Sequence, residues 1–261
     1  MNVPVTQFDV LQQSPLDAPV RLRGLGTTVP EHLLPQDLVQ KNAKRILGKR
    51  YPEFDRLSKT FLTSGVEQRY SVAPFEWFEE PKSWPDRTDA YLKGATQLFI
   101  DATQKALEDS GMSAEEIDVI VTVSSTGIAT PTLEARAMAE LNFRRNVKRV
   151  PVFGLGCAGG VSGLSIATRL ARSMAGANVL MVAVETCSLS FRSDRMQKAD
   201  IIATVLFGDG AAAAILSSGQ VDGPILGAGA EYTWPDTLSI CLLYTSPSPR
   251  DLSTSRMPSS A

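Results

Sequence analysis

Histidine is nearly missing: His32 is the only one in 261 residues. A reaction that needs an imidazole must therefore use a residue near the N-terminus or find it elsewhere. Cysteine is sparse as well. Cys157, Cys187 and Cys241 are too few and too widely spaced for a disulfide framework or a metal cluster. No bound metal is expected, and a reducing cytoplasm is the natural compartment. Long apolar runs are absent. Ile117 to Val123 and Val179 to Val184 have the length of strands, far short of the roughly 18 residues that span a bilayer. The opening residues M-N-V-P-V-T-Q-F-D-V lack the basic-then-apolar order of a signal peptide. Charge of one sign is lacking too: 26 Lys and Arg against 28 Asp and Glu leave −2. That balance argues against nucleic acid or an anionic membrane as the main partner. What remains is a 43% hydrophobic chain, enough for one large domain or two small ones.

One stretch organises the rest. In R-V-P-V-F-G-L-G-C-A-G-G-V-S-G-L-S-I-A-T-R-L-A-R-S-M, residues 149–174, the apolar run Val150 to Phe153 reads as a buried strand. Glycine-rich residues 154–160 follow, and Val161, Leu164, Ile166, Ala167, Leu170 and Ala171 then recur at helical spacing. Cys157 thus sits where a strand hands over to a helix. There the first N–H groups are unpaired and the helix dipole is positive, an environment that favours a thiolate. Flanking glycines let a substrate approach the backbone. Three readings compete: a presented nucleophile, a dinucleotide loop because G-L-G-C-A-G fits G-x-G-x-x-G, and a packing cysteine. The dinucleotide reading is weakened because Glu185, which ends the following strand, lies beyond the usual spacing of about 20 residues.

Around it, Val20 to Gly26 reads as a strand. Pro35 opens a helix to about Leu47, and a charged helix runs from Glu53 to Thr63. Arg56 and Lys59 share the exposed face of that second helix, which alone suggests a solvated surface. A surface connection spans residues 71–87. A long helix from Thr88 to Ser110 buries Ala95, Leu98, Phe99, Ala102, Ala106 and Leu107 and stops at Gly111. Ser113 to Glu116 forms a capping box. Ile117 to Val123 is a strand, S-S-T-G-I-A-T-P a loop, and Pro131 to Leu141 a helix. Asn178 to Glu185, Ala211 to Leu216 and Ile225 to Tyr232 read as strands, with E-T-C-S-L-S-F-R-S-D-R a polar loop and F-G-D-G a turn. Strands alternating with helices imply an α/β fold with a largely parallel central sheet. The domain therefore covers residues 19–240, after an N-terminal arm at 1–18. Residues 241–261 are dominated by Ser, Thr and Pro and resemble a translated adaptor read-through, so they are set aside as a non-native tail.

The motifs G-L-G-C-A-G-G-V-S-G-L-S-I-A, V-E-T-C-S-L-S-F-R and V-L-F-G-D-G-A-A-A-A-I-L, with S-S-T-G-I-A-T-P and W-P-D-T-L-S-I in order, resemble the type III polyketide synthases. These are the chalcone- and stilbene-synthase-like enzymes of the thiolase superfamily, and the wording is nearest to bacterial alkylpyrone and alkylresorcinol synthases. The resemblance implies the N-terminal half of a duplicated, layered αβαβα thiolase-like fold. It implies an acyltransferase that joins an acyl-CoA starter to malonyl-CoA by decarboxylative Claisen condensation, with both thioesters as substrates, no cofactor, and a homodimer at full length. It further implies that Cys157 is the catalytic nucleophile and that Phe207 is a gatekeeper at the cavity mouth. Cys187 and Ser190 would line the cavity, Thr130 would reach across a dimer interface, and Arg56 and Lys59 would bind the CoA phosphates. The family's catalytic histidine and asparagine match no residue here, and His32 is expected in a solvent-facing loop. The chain is therefore expected to be a fragment that does not complete the condensation. A 3-oxoacyl-carrier-protein synthase III-like enzyme that stops after one condensation is the alternative, ahead of a nucleotide-binding oxidoreductase.

Overall fold

The computed structural model describes residues 19–48, 54–192, 198–219, 221–233 and 235. The expected arm at 1–18 and tail at 241–261 lie outside the described residues. In chain order the elements are β1 (Val20–Thr28), β2 (His32–Pro35), α1 (Gln36–Leu47), α2 (Phe54–Thr63), β3 (Gln68–Ser71), α3 (Trp84–Ser110), β4 (Val119–Ser124), α4 (Leu133–Leu141), β5 (Lys148–Phe153), α5 (Gly159–Ser173), β6 (Asn178–Thr186), α6 (Lys198–Leu206) and β7 (Asp209–Ser218). They form two compact units. One takes residues 19–29, 91–185 and 210–232, and the other residues 30–90 and 186–209.

The first unit is a five-stranded sheet in the order β1-β7-β6-β4-β5. β4 pairs in parallel with β5 and with β6, but β1 runs antiparallel to β7. The sheet is therefore mixed rather than largely parallel. Val20, Val119, Val121, Val123, Val179, Met181 and Leu216 form one apolar face, packed on Ala167 and Ala171 of α5. In β1 an extra residue shifts the register between Leu22 and Gly24. This bulge turns Gly24 and Gly26 to the opposite face, where α3 lies so near that a Cβ on Gly26 would stand 2.2 Å from the Ala102 carbonyl oxygen.

Three expectations for this unit need correction. Val150 to Phe153 is not buried: β5 is the edge strand, and Phe153 is 59% exposed. An edge is also where a strand tolerates a proline such as Pro151. In α5 the buried face is Gly159, Ser162, Gly163, Ser165, Ala167, Thr168 and Ala171, while Val161 is 74% exposed. The helix lies too close to the sheet for larger groups, since a Cβ on Gly163 would meet Met181 and Val123 at 2.6 Å. Ile225 to Tyr232 is not a strand. It makes one bridge, Arg21 to Ile225, with hydrogen bonds from Leu22 N to Pro224 O (2.9 Å) and from Leu226 N to Val20 O (2.8 Å). Pro224 has no N–H to donate, and Gly227 and Gly229 offer no side chains to pack.

In the second unit, β2 and β3 form a small antiparallel pair. Helices α1, α2 and α6 enclose Leu34, Val39, Phe54, Leu57, Phe61, Ile201 and Val205. His32 lies on β2 opposite Ser71, not in a loop. β2, β3 and α6 escape a reading of the pattern. The strands have only four residues each, and α6, K-A-D-I-I-A-T-V-L, carries β-branched residues whose run does not distinguish helix from strand. α3 begins at Trp84, four residues before Thr88. Ser83 N donates to Asp86 Oδ2 (2.9 Å) and Asp86 N to Ser83 Oγ (3.3 Å), an exchange that closes the helix start. The capping box at Ser113 and Glu116 is present, with Ser113 N donating to Glu116 Oε2 at 2.8 Å.

Candidate active site

Parallel β4, β5 and β6 end on the same side of the first unit, and the loop after β4 meets the turn after β5 there. That edge is where open α/β sheets place their ligands. After β5 the backbone turns through Gly154 (φ 85°) and Gly156 (φ 54°), left-handed positions that side chains avoid. A short helical turn, Gly156–Ala158, then leads into α5. Cys157 rides on this turn, exposed, just ahead of the N-terminus of α5. The turn is tied to its neighbours. Gly156 N donates to Ser125 Oγ (2.9 Å), and Ser125 N donates to both oxygens of the Glu185 carboxylate (2.9 and 3.1 Å). Tyr91 Oη donates to Ser124 Oγ at 2.9 Å, fixing the base of the same loop. Burial pushes the Glu185 carboxyl up from its ordinary range, against the hydrogen bonds from Thr126 and Ser125 that hold it down. With Glu185 committed to its own sheet, the dinucleotide reading loses the acidic residue it would place on a ribose.

The second unit holds a cavity of about 80 Å3. Leu34, Val39, Ala43 and Ile46 line one side and Phe75, Phe78 and Phe191 another. Phe78 and Phe191 meet edge to face, with ring centroids 6.0 Å apart. Three residues singled out in the sequence line it together: Phe207, Cys187 and Ser190. Cys187 and Ser190 belong to a helical turn directly after β6, and Phe207 follows the last residue of α6. Arg87 donates to the Leu189 carbonyl and anchors that turn.

Arg56 and Lys59 lie exposed on α2, whose other face buries Phe54, Leu57, Ser58 and Phe61. Thr130 is exposed in the first unit, on the loop before the cis Thr130–Pro131 bond. These three line no part of the cavity.

Beside the cavity, and lining it through Arg69 and Ser188, is a polar cluster that the sequence reading missed. Asp209 accepts from Val72 N (2.8 Å), Ser188 N (2.7 Å) and Ser188 Oγ (2.5 Å). Arg69 donates through Nη1 to the Phe207 carbonyl (2.5 Å) and through Nε and Nη2 to Gln36 Oε1 (3.2 and 3.1 Å). Burial lowers the Arg69 guanidinium to about 10, although the Asp209 charge acts to raise it, and burial also raises the Asp209 carboxyl. The available signal was the F-G-D-G motif, where a carboxylate stands at the head of an apolar strand.

Comparison with known proteins decides the lineage. Residues 12–220 match the model of the chalcone and stilbene synthases, N-terminal domain. The chain belongs to the chalcone and stilbene synthase family. A 1,3,6,8-tetrahydroxynaphthalene synthase of Streptomyces peucetius subsp. caesius is 32% identical over 252 residues, 91% of this chain and 66% of that protein. A Bacillus subtilis relative named for chalcone synthase is 34% identical over 203 residues, 76% of this chain and 56% of its own length. The chain thus spans between 56% and 66% of the length of these two family members. The crystal structure of the Streptomyces coelicolor A3(2) 1,3,6,8-tetrahydroxynaphthalene synthase, a bacterial type III polyketide synthase, is 30% identical and superposes with a TM-score of 0.78. That alignment covers 83% of this chain and 62% of the synthase. The family fold is thiolase-like, and the mixed α/β architecture described above agrees with it. Among the described residues, no helix is long and apolar enough to cross a membrane.

Proposed function

We propose that this chain carries the acyl-loading cysteine of a type III polyketide synthase that condenses an acyl-CoA starter with malonyl-CoA. The observation that carries this reading is Cys157: exposed, on a glycine turn tied through Ser125 to Glu185, in a chain of the chalcone and stilbene synthase family. The Cys157 thiolate attacks the starter thioester carbonyl. The bond from that carbonyl to the coenzyme A sulfur breaks, coenzyme A leaves as its thiolate, and the acyl group stays on Sγ. Malonyl-CoA then loses CO2, and the resulting enolate attacks the Cys157 thioester and returns the thiolate. Phe207, Cys187 and Ser190 bound the space for the acyl chain, and Arg56 and Lys59 hold the coenzyme A phosphates. Thr130 reaches a second copy in a homodimer. No cofactor takes part, and the enzyme works in the cytoplasm. The apolar walls of the cavity support an alkyl or aryl starter.

The test is intact-protein and peptide mass spectrometry after incubation with hexanoyl-CoA. An acyl increment on the peptide containing Cys157, lost in Cys157→Ala, is the expected result. Acylation elsewhere, or equal acylation of the Cys157→Ala protein, refutes the assignment. In the full-length protein, the length of the product released with malonyl-CoA separates repeated from single condensation.

A further inference from the structure

The polar cluster beside the cavity holds two stretches of its lining from one place. α6 ends at Leu206, and the last carbonyls of a helix lack partners within it. Here two side chains supply them. Gln36 Nε2 donates to the Val205 carbonyl (2.9 Å) and Arg69 Nη1 to the Phe207 carbonyl (2.5 Å). Arg69 also donates twice to Gln36 Oε1, so the two residues grip consecutive parts of the segment that carries Phe207. A second stretch of the lining, the Cys187–Ser190 turn, is held by Asp209 through Ser188 N and Ser188 Oγ. Asp209 is in turn fixed to the strand after Arg69 by Val72 N. Ser71 Oγ lies 3.0 Å from Ser188 Oγ and completes the tie. Both stretches are thus referred to β3 and the residue after it. The holding groups are almost fully enclosed, with Gln36, Arg69 and Asp209 only 4, 8 and 5% exposed. Enclosing a guanidinium and a carboxylate is a costly way to stabilise a core compared with apolar residues, so their retention calls for another role.

We propose that Arg69, gripping Phe207 together with Gln36, is the positioning residue that sets the width of the cavity between Phe207 and the Cys187–Ser190 turn. The arginine fork is what the task requires, because it serves two acceptors in fixed directions, which a lysine ammonium cannot do. A change of cavity width by about one methylene alters selection between ligands by tenfold or more. The substrate meaning of this width rests on the acyl-transfer reading above; the geometry does not.

Cys187 lines the cavity and reports on it without turnover. The experiment alkylates the 261-residue protein with iodoacetamide and with N-(1-pyrenyl)maleimide, and follows Cys187 and Cys157 separately by peptide mass spectrometry. In Arg69→Lys, which keeps the charge beside Asp209, the bulky-to-small rate ratio at Cys187 is expected to change about tenfold, with the ratio at Cys157 unchanged. Gln36→Met, which alters no charge, is expected to shift the Cys187 ratio in the same direction, and it decides the matter if the Arg69→Lys protein does not unfold cooperatively. Wild-type ratios in every folded variant overturn the proposal. A parallel change at both cysteines also overturns it, because that reports general loosening. Protection of wild-type Cys187 by hexanoyl-CoA tests the functional reading separately: without protection the acyl role falls, while the alkylation ratio still judges the positioning role.

Discussion

Asp209→Ala gives the sharpest measure of what the polar cluster contributes. The carboxylate is 5% exposed and accepts three hydrogen bonds, from Val72 N, Ser188 N and Ser188 Oγ. It also faces Arg69, whose guanidinium is itself enclosed. Removing the carboxylate takes from Arg69 an opposite charge that acts through space, without an ion-pair contact. Two backbone N–H groups would lose their acceptor as well, each worth about 1–3 kcal/mol where water cannot replace it. The expected loss is therefore at least about 2 kcal/mol, a large share of the roughly 5–15 kcal/mol that stabilises a folded domain. In thermal unfolding, at about 2–4 °C per kcal/mol, the midpoint should fall by about 4 °C or more. Asp209→Asn keeps an acceptor oxygen and the shape, so it should lose less. The double variant Arg69→Met/Asp209→Ala should be less destabilised than the sum of its singles, because the second change removes the charge stranded by the first. If Asp209→Ala unfolds within about 1 kcal/mol of wild type by urea titration, below the cost of stranding two buried N–H groups, the Asp209 carboxylate does not hold this unit together.

Two further outcomes follow from the first unit. Burial raises the Glu185 carboxyl above its unfolded value, so the folded state binds its proton more tightly than the unfolded state does. That contribution is fully present below the unfolded pKa and is lost as pH rises through the folded one. Relative to Glu185→Gln, wild type should therefore gain stability as pH falls from neutral into the carboxylate range. A stability difference that is flat, or grows with pH, in paired urea titrations contradicts the stated cause. Gly26→Ala would place a Cβ 2.2 Å from the Ala102 carbonyl oxygen and 2.6 Å from Ala106 N, backbone atoms that cannot swing aside. Overpacking of this kind costs about 1–3 kcal/mol, and a wild-type midpoint in thermal unfolding would show that β1 and α3 are not in such close approach.

The elements that could be read in advance are those whose signals are local. Pro35 marks the start of α1 and the S-A-E-E box caps its turn, because each device acts within a few residues. The interiors of β4 and β6 are apolar enough to identify themselves as central strands. Burial of β5 and of the α5 face went the other way, since periodicity reports which residues are apolar but not which neighbour is present to cover them. Val161 and Phe153 are apolar and exposed. Ser162 and Gly163 are buried because the sheet comes too close for anything larger.

The same division runs through the site. Cys157 could be found because strand, glycine turn and helix lie within one stretch of chain. The cavity could not, because its walls come from α1, β3, the turn after β6 and α6, and Arg69 and Phe207 stand 138 positions apart. What the sequence does carry is a set of local conflicts: Arg69 inside a four-residue strand, Glu185 near the end of β6 and Asp209 at the head of β7. A charge in a strand that is otherwise apolar or enclosed works against burial, and such a conflict persists where a site or its support requires it. Each of these three charges proves to hold a backbone segment. Glu185 holds the Ser125 loop that steadies the Cys157 turn, Asp209 holds the turn carrying Cys187, and Arg69 holds Phe207. In this fold the chemistry is displayed on glycine-rich and helical turns, and the charges at strand ends decide where those turns stand.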